Sequence, residues 1–145
     1  MYHRILLPTD GSEASLAALD HALDIAERFD ADLDVLYVVD IDALPLDAHS
    51  RTVFDAADRA ARGTVADMVD RAERRGFERA TGEVREGSPP EVVLDYAADH
   101  DVDLVVMGTH ARTGVERYLL GSVTERVLRA SPVPVLTVQG PSESD

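Results

Sequence analysis

Apolar residues recur along this chain in two alternating rhythms. Residues 3–7 form a short apolar run that stops at Pro8, and residues 33–39, 102–107 and 133–138 are further runs of strand length. Between them the apolar spacing lengthens to three and four residues. Leu16, Leu19, Leu23 and Ala26 mark a helix over residues 13–29. Val53, Ala56, Ala60, Val65, Met68 and Ala72 mark the inner face of another over 52–75, which Gly76 stops. Ser12 is placed to cap the first helix, with Glu13 at its positive end. Residues 77–85 read as a more polar strand, interrupted at Gly82, as at a sheet edge. Ser88-Pro-Pro-Glu91 predicts a third helix opened by a capping box, and Ser122 with Glu125 predicts the same for a fourth over 122–130. Residues 40–49 read as a loop, and 140–145 as a polar, disordered tail.

The order of elements is βαβαβαβαβ. Such alternation predicts an α/β fold, a three-layer, doubly wound, five-stranded parallel sheet with helices on both faces. The expected strand order is 3-2-1-4-5, in a single domain over residues 1–139. Ligands of such sheets bind beyond the carboxyl ends of the strands where the winding reverses. The crevice is therefore expected between strands one and four, and the segments that follow Leu7 and Met107 are the ones that carry chemistry.

Composition narrows the partners. The 28 acidic residues outnumber 14 basic ones for a formal net charge of −14, and every basic residue is arginine. A field of that sign repels nucleic acid and anionic membranes. The acids are spread along the chain, a solvated acidic surface that points to a salt-loving source, a halophilic archaeon. There is no cysteine, so disulfides and thiolate metal sites are excluded. The first residues read as a strand and not as a secretion signal, and no apolar stretch is long enough to span a bilayer, so a cytoplasmic location is expected.

After strand one stands Pro8-Thr9-Asp10-Gly11-Ser12, and after strand four stands Gly108-Thr-His-Ala-Arg-Thr-Gly-Val-Glu-Arg-Tyr-Leu-Leu-Gly-Ser-Val-Thr124. The second segment holds the parts of an anion site. Gly121 precedes a helix N-terminus, where N–H groups and the dipole favour phosphate. Ser122 and Thr124 add hydroxyls, and Arg112 and Arg117 add positive charge to an acidic chain.

These residues resemble the universal stress protein family. Its nucleotide-binding members carry Gly, two residues, Gly, nine residues, then Gly-Ser or Gly-Thr; here Gly108 and Gly121-Ser122 match, and Ala111 stands at the second glycine. Alanine disfavours a left-handed backbone that glycine accepts. The resemblance runs from Arg4-Ile-Leu-Leu-Pro-Thr-Asp-Gly-Ser12 to Ser131-Pro-Val-Pro-Val-Leu-Thr-Val138. It implies an adenine nucleotide alpha hydrolase-like fold and a stress-response sensor or regulatory module that binds an adenine nucleotide such as ATP, with Mg²⁺ as a companion ion. By position it implies Pro8, Thr9 and Asp10 at the nucleoside and Val38 at the adenine. Met107 and Gly108 fall at the base and ribose, and Ala111, Arg112, Gly121, Ser122, Val123 and Thr124 around the phosphates.

Two other functions stay open. One is a dimeric interaction protein that has lost nucleotide binding, which Ala111 makes credible. The other is a slow ATP hydrolase or phosphotransferase, for which Glu116, Glu125 and His110 are weak base candidates. Asp40, Asp42, Asp47 and His49 are read as solvated loop residues and not as a metal site. A Walker A loop needs lysine, and the chain has none. The strand from Val133 to Val138 carries no charge and is expected at a sheet edge, where antiparallel pairing with a second copy gives a homodimer. Pro134 must then turn its missing N–H away from the new ladder.

Overall fold

The computed structural model describes residues 1–44, 50–109 and 121–140. Its elements run β1 (Arg4–Thr9), α1 (Glu13–Phe29), β2 (Asp32–Asp40), a 3-10 turn (Ile41–Ala43), α2 (Ser50–Arg74), β3 (Ala80–Gly87), α3 (Pro89–Asp99), β4 (Leu104–Thr109), α4 (Ser122–Ala130) and β5 (Val135–Gln139). All strand pairs are parallel and the order is β3-β2-β1-β4-β5, as expected. Residues 45–49, 110–120 and 141–145 lie outside the described residues; of the tail expected over 140–145, Gly140 is described and its N–H donates to the Thr109 carbonyl at 2.9 Å.

Alternate positions on the strands feed two cores. Ile5, Leu7, Leu33, Val35 and Val106 pack with Leu19, Leu23 and Met68 of α1 and α2. Leu6, Leu36, Val105 and Met107 pack with Val93, Tyr96 and Val127 of α3 and α4. Because β1 is buried on both faces, its apolar run needs no polar alternation.

Several local expectations are corrected. Phe77 is not in the third strand; it is a buried core residue between α2 and β3. Gly82 does not interrupt β3, which pairs with β2 without a break from Ala80 to Gly87. It lets α2 lie close, since a Cβ there would run into the Val65 side chain. Ser88 stands at the start of α3 without a side-chain cap bond. Pro89 and Pro90 follow it, and proline has no N–H for a cap to receive. Ser122 lies inside α4 and cannot cap it: Gly121 is the N-cap residue, and Glu125 pairs with Arg129 at 2.7 Å instead.

Pro8 has the largest consequence for function. The Arg4 carbonyl accepts from Asp103 N–H just before β4, while the His3 carbonyl accepts from Asp32 N–H at β2. Even-numbered residues of β1 thus face β4, and Pro8 places its missing N–H on that side. The β1–β4 register accordingly covers only Ile5 and Leu6, whereas the β1–β2 register continues through Thr9. Hydrogen-bonded pairing of the two central strands thus ends before their carboxyl ends.

Candidate functional site

Beyond the end of the β1–β4 pairing there is a cavity of about 530 Å³. That volume lies inside the range of roughly 300–1,000 Å³ usual for small-molecule sites. Ten residues expected from the sequence line it: Pro8, Thr9 and Asp10 from the end of β1, Val38 from β2, Met107 and Gly108 from β4, and Gly121, Ser122, Val123 and Thr124 at the start of α4. The remaining two, Ala111 and Arg112, lie outside the described residues, as do His110, Glu116, Arg117, Asp47 and His49.

The walls differ in character. Leu36, Val38, Val93, Met107 and Val123 belong to the α3–α4 side of the sheet and form an apolar basin. Thr9, Asp10, Ser15 and Thr109 supply polar groups at the sheet's edge, and the start of α4 closes one end.

The helix starts around the carboxyl edge of the sheet are not equivalent. At α1, the Ser12 side chain accepts from Ser15 N–H at 3.2 Å, and Asp10 Oδ1 accepts from Ser12 N–H at 3.0 Å. At α3, two prolines remove donors. At α4, the N-cap residue is Gly121, no side-chain cap bond is present among the described residues, and no proline stands in the first turn. The first N–H groups of a helix have no partner within it, so of these three starts α4 is the best built to receive an anion.

Asp10 is held from behind. Its Oδ1 also accepts from the Ser15 hydroxyl at 2.9 Å, and its own N–H donates to Ser15 Oγ at 3.3 Å. Gly108 has a packing role: a Cβ there would lie 2.8 Å from Ser15 N and closer still to the Ala14 carbonyl. The glycine therefore admits the first turn of α1 against β4, a close approach that no other residue allows.

Sequence reasoning missed Ser15, Leu36, Tyr37, Val39, Asp40, Thr109 and Pro89, the Ala43–Leu44 stretch beyond β2, Ala57 and Ala60 of α2, and Val93 of α3, all of which line the cavity. The small side chains at Ala57 and Ala60 were a usable signal, since a helix crossing a ligand cleft needs little bulk there. Glu125, one base candidate, pairs with Arg129 and does not line the cavity. Among the described residues no group of three His, Cys, Asp or Glu side chains could hold a metal ion, and no helix is long and apolar enough to cross a membrane.

The five-stranded parallel sheet in order β3-β2-β1-β4-β5, with helices on both faces, places the chain in the adenine nucleotide alpha hydrolase-like class of fold. Within that class the chain belongs to the universal stress protein family, whose pattern it matches over residues 1–139. It is similar to Universal stress protein MJ0531 of Methanocaldococcus jannaschii, 38% identical over 146 residues, covering 99% of this chain and 85% of that one. The structure of universal stress protein UspA from Lactobacillus plantarum superposes with a TM-score of 0.78 at 31% identity, covering 94% and 97% of the two chains. A universal stress protein in complex with cAMP superposes with a TM-score of 0.72 at 26% identity, covering 95% and 97%.

Proposed function

We propose that this chain binds an adenine nucleotide, ATP foremost, in the β1–β4 cavity and serves as a stress-response sensor or regulatory module in the cytoplasm. The observation that carries the reading is the two-sided cavity: an apolar basin sized for a base runs into the uncapped start of α4. In this reading Val38 and Met107 cover the base, Asp10 meets the nucleoside, and the N–H groups and hydroxyls of Ser122 and Thr124 take the phosphates. The complex of a related universal stress protein with cAMP supports the same ligand class.

Mg²⁺ would enter with the nucleotide. Near α4 the described lining offers it the hydroxyl oxygens of Ser122 and Thr124, so phosphate oxygens and water would supply most of its ligands. Of the three base candidates, Glu125 is tied to Arg129 outside the cavity, and His110 and Glu116 lie outside the described residues.

The reading includes a homodimer through β5. The Pro134 carbonyl accepts from Val105 N–H at 3.0 Å, so Pro134 turns its missing N–H towards β4. The alternation then turns the N–H and C=O groups of Val135, Thr137 and Gln139 to the open edge, where a second copy would pair.

Calorimetric titration in molar KCl tests the binding. ATP is expected to bind more tightly than adenosine by at least about tenfold, since several phosphate contacts of roughly 1 kcal/mol each are lost with the phosphates. Equal affinities for ATP and adenosine would remove the phosphate role of α4, and no heat with either would remove the reading.

A further inference from the structure

We propose that Ser15 is a positioning residue of this cavity, holding the Asp10 carboxylate in the orientation that meets the nucleoside; the inference rests on the nucleotide reading above. Ser15 lies in the first turn of α1 and is only 4% exposed, yet it lines the cavity. Its hydroxyl closes a ring with Asp10 and also accepts from the Ser12 hydroxyl at 3.3 Å. It accepts from Asp10 N–H at 3.3 Å and donates to Asp10 Oδ1 at 2.9 Å. Ser12 N–H donates to the same oxygen at 3.0 Å. Two donors on one oxygen restrain the side-chain torsions of Asp10, a residue of the turn that leads into α1.

The fixing depends on three separate parts of the chain. Asp10 follows β1, Ser15 belongs to α1, and Gly108 of β4 leaves the space in which the backbone of Ala14 and Ser15 rests. A side chain held in its binding geometry before the ligand arrives loses no rotamer entropy on binding. Ser15 thus affects affinity through Asp10, even if it never touches the nucleotide.

Wild-type protein, Ser15→Ala, Asp10→Ala and the double variant would be titrated with ATP in molar KCl. Thermal melts would confirm folding, which S15A should preserve because alanine favours helices. S15A is expected to weaken ATP about threefold to tenfold, the equivalent of one hydrogen bond, and to add nothing to D10A. The ligand-free proteins supply a second readout: Hα–Hβ coupling constants of Asp10 should report one rotamer in the wild type and averaging in S15A. Wild-type affinity in S15A, an equal loss in both backgrounds, or one unchanged Asp10 rotamer would each overturn the positioning role. Failure of the wild type itself to bind ATP would instead bring down the nucleotide reading, and this inference with it.

Discussion

Asp34 of β2 is 2% exposed, and its carboxylate lies on the face that β2 turns to α3. Arg4 donates to both of its oxygens at 2.9 Å, Thr81 to one at 3.1 Å and the Tyr96 hydroxyl to the other at 2.8 Å. A buried carboxylate is tolerated only when it is satisfied in this way. Burial first, then the bond to Asp34, raises the pKa of the Tyr96 hydroxyl above its ordinary value of 10.0. The folded chain therefore keeps this proton to a higher pH than the unfolded chain does. The stability it contributes is whole below about pH 10 and is lost as the pH climbs beyond that value. The chain has no lysine, so no ammonium side chain titrates in that window. Urea unfolding between about pH 8 and pH 11 should show wild-type stability falling on the alkaline side. Tyr96→Phe should start lower by roughly 1–3 kcal/mol and fall less steeply. Parallel curves for the two proteins would contradict the assignment. The network was not legible in the sequence, where Asp34 is one acid among 28. Its partners stand at residues 4, 81 and 96, and only the sheet order brings them together.

At the scale of elements, legibility followed burial. The helix over 13–29 and the helix over 122–130 were placed within their observed bounds, because each has an apolar stripe ended by a clear signal. The strands β1 and β4 extend two residues beyond their apolar runs, to Thr9 and Thr109. Those threonines are 8% exposed, so each strand continues into residues that hydropathy alone treats as loop. The two cap errors have different causes. Ser88 does stand one residue before its helix, but prolines occupy the first two helical positions. Ser-x-x-Glu is a capping box only if the serine falls one residue before the helix, and at Ser122 the helix begins one residue early. Pro8 was read as the end of a strand, when it lies within the central strand of the sheet. Proline is normally kept from such positions because it interrupts a ladder. Here the hydrogen-bonded pairing of β1 with β4 ends before Pro8, and Pro8 lines the cavity beyond it. Residues that break the local rule thus mark the candidate site, as expected where structure serves binding.

For the molecule as a whole, charge is the dominant unused force. A surplus of 14 acids on a chain of 145 residues gives strong self-repulsion at low salt. Arginine pairs relieve part of it along one edge, where Arg71 meets Asp20 at 3.1 Å, Arg75 meets Glu27 at 2.9 Å and Arg79 meets Asp32 at 2.9 Å. These pairs are exposed and individually weak. Screening should therefore help the fold more than it harms it. Between 0.1 M and 2 M KCl the Tm is expected to rise by about 3–10 °C, roughly 1–2 kcal/mol, as the Debye length shrinks from about 10 Å to below 3 Å. A Tm that stays level or falls would show that the acidic surface is not an adaptation to salt. The same screening would lower the barrier to an anionic ligand, so nucleotide binding belongs under those conditions as well.

The central claim concerns the cleft that Pro8 lines. A crystal structure of the chain grown with ATP in molar salt tests it most directly. In that crystal the adenine should lie against Val38 and Met107, the ribose beside Asp10, and the phosphates at the N–H groups of Gly121 to Thr124. A cleft filled instead by the chain's own side chains, or a nucleotide bound elsewhere on the molecule, would contradict it.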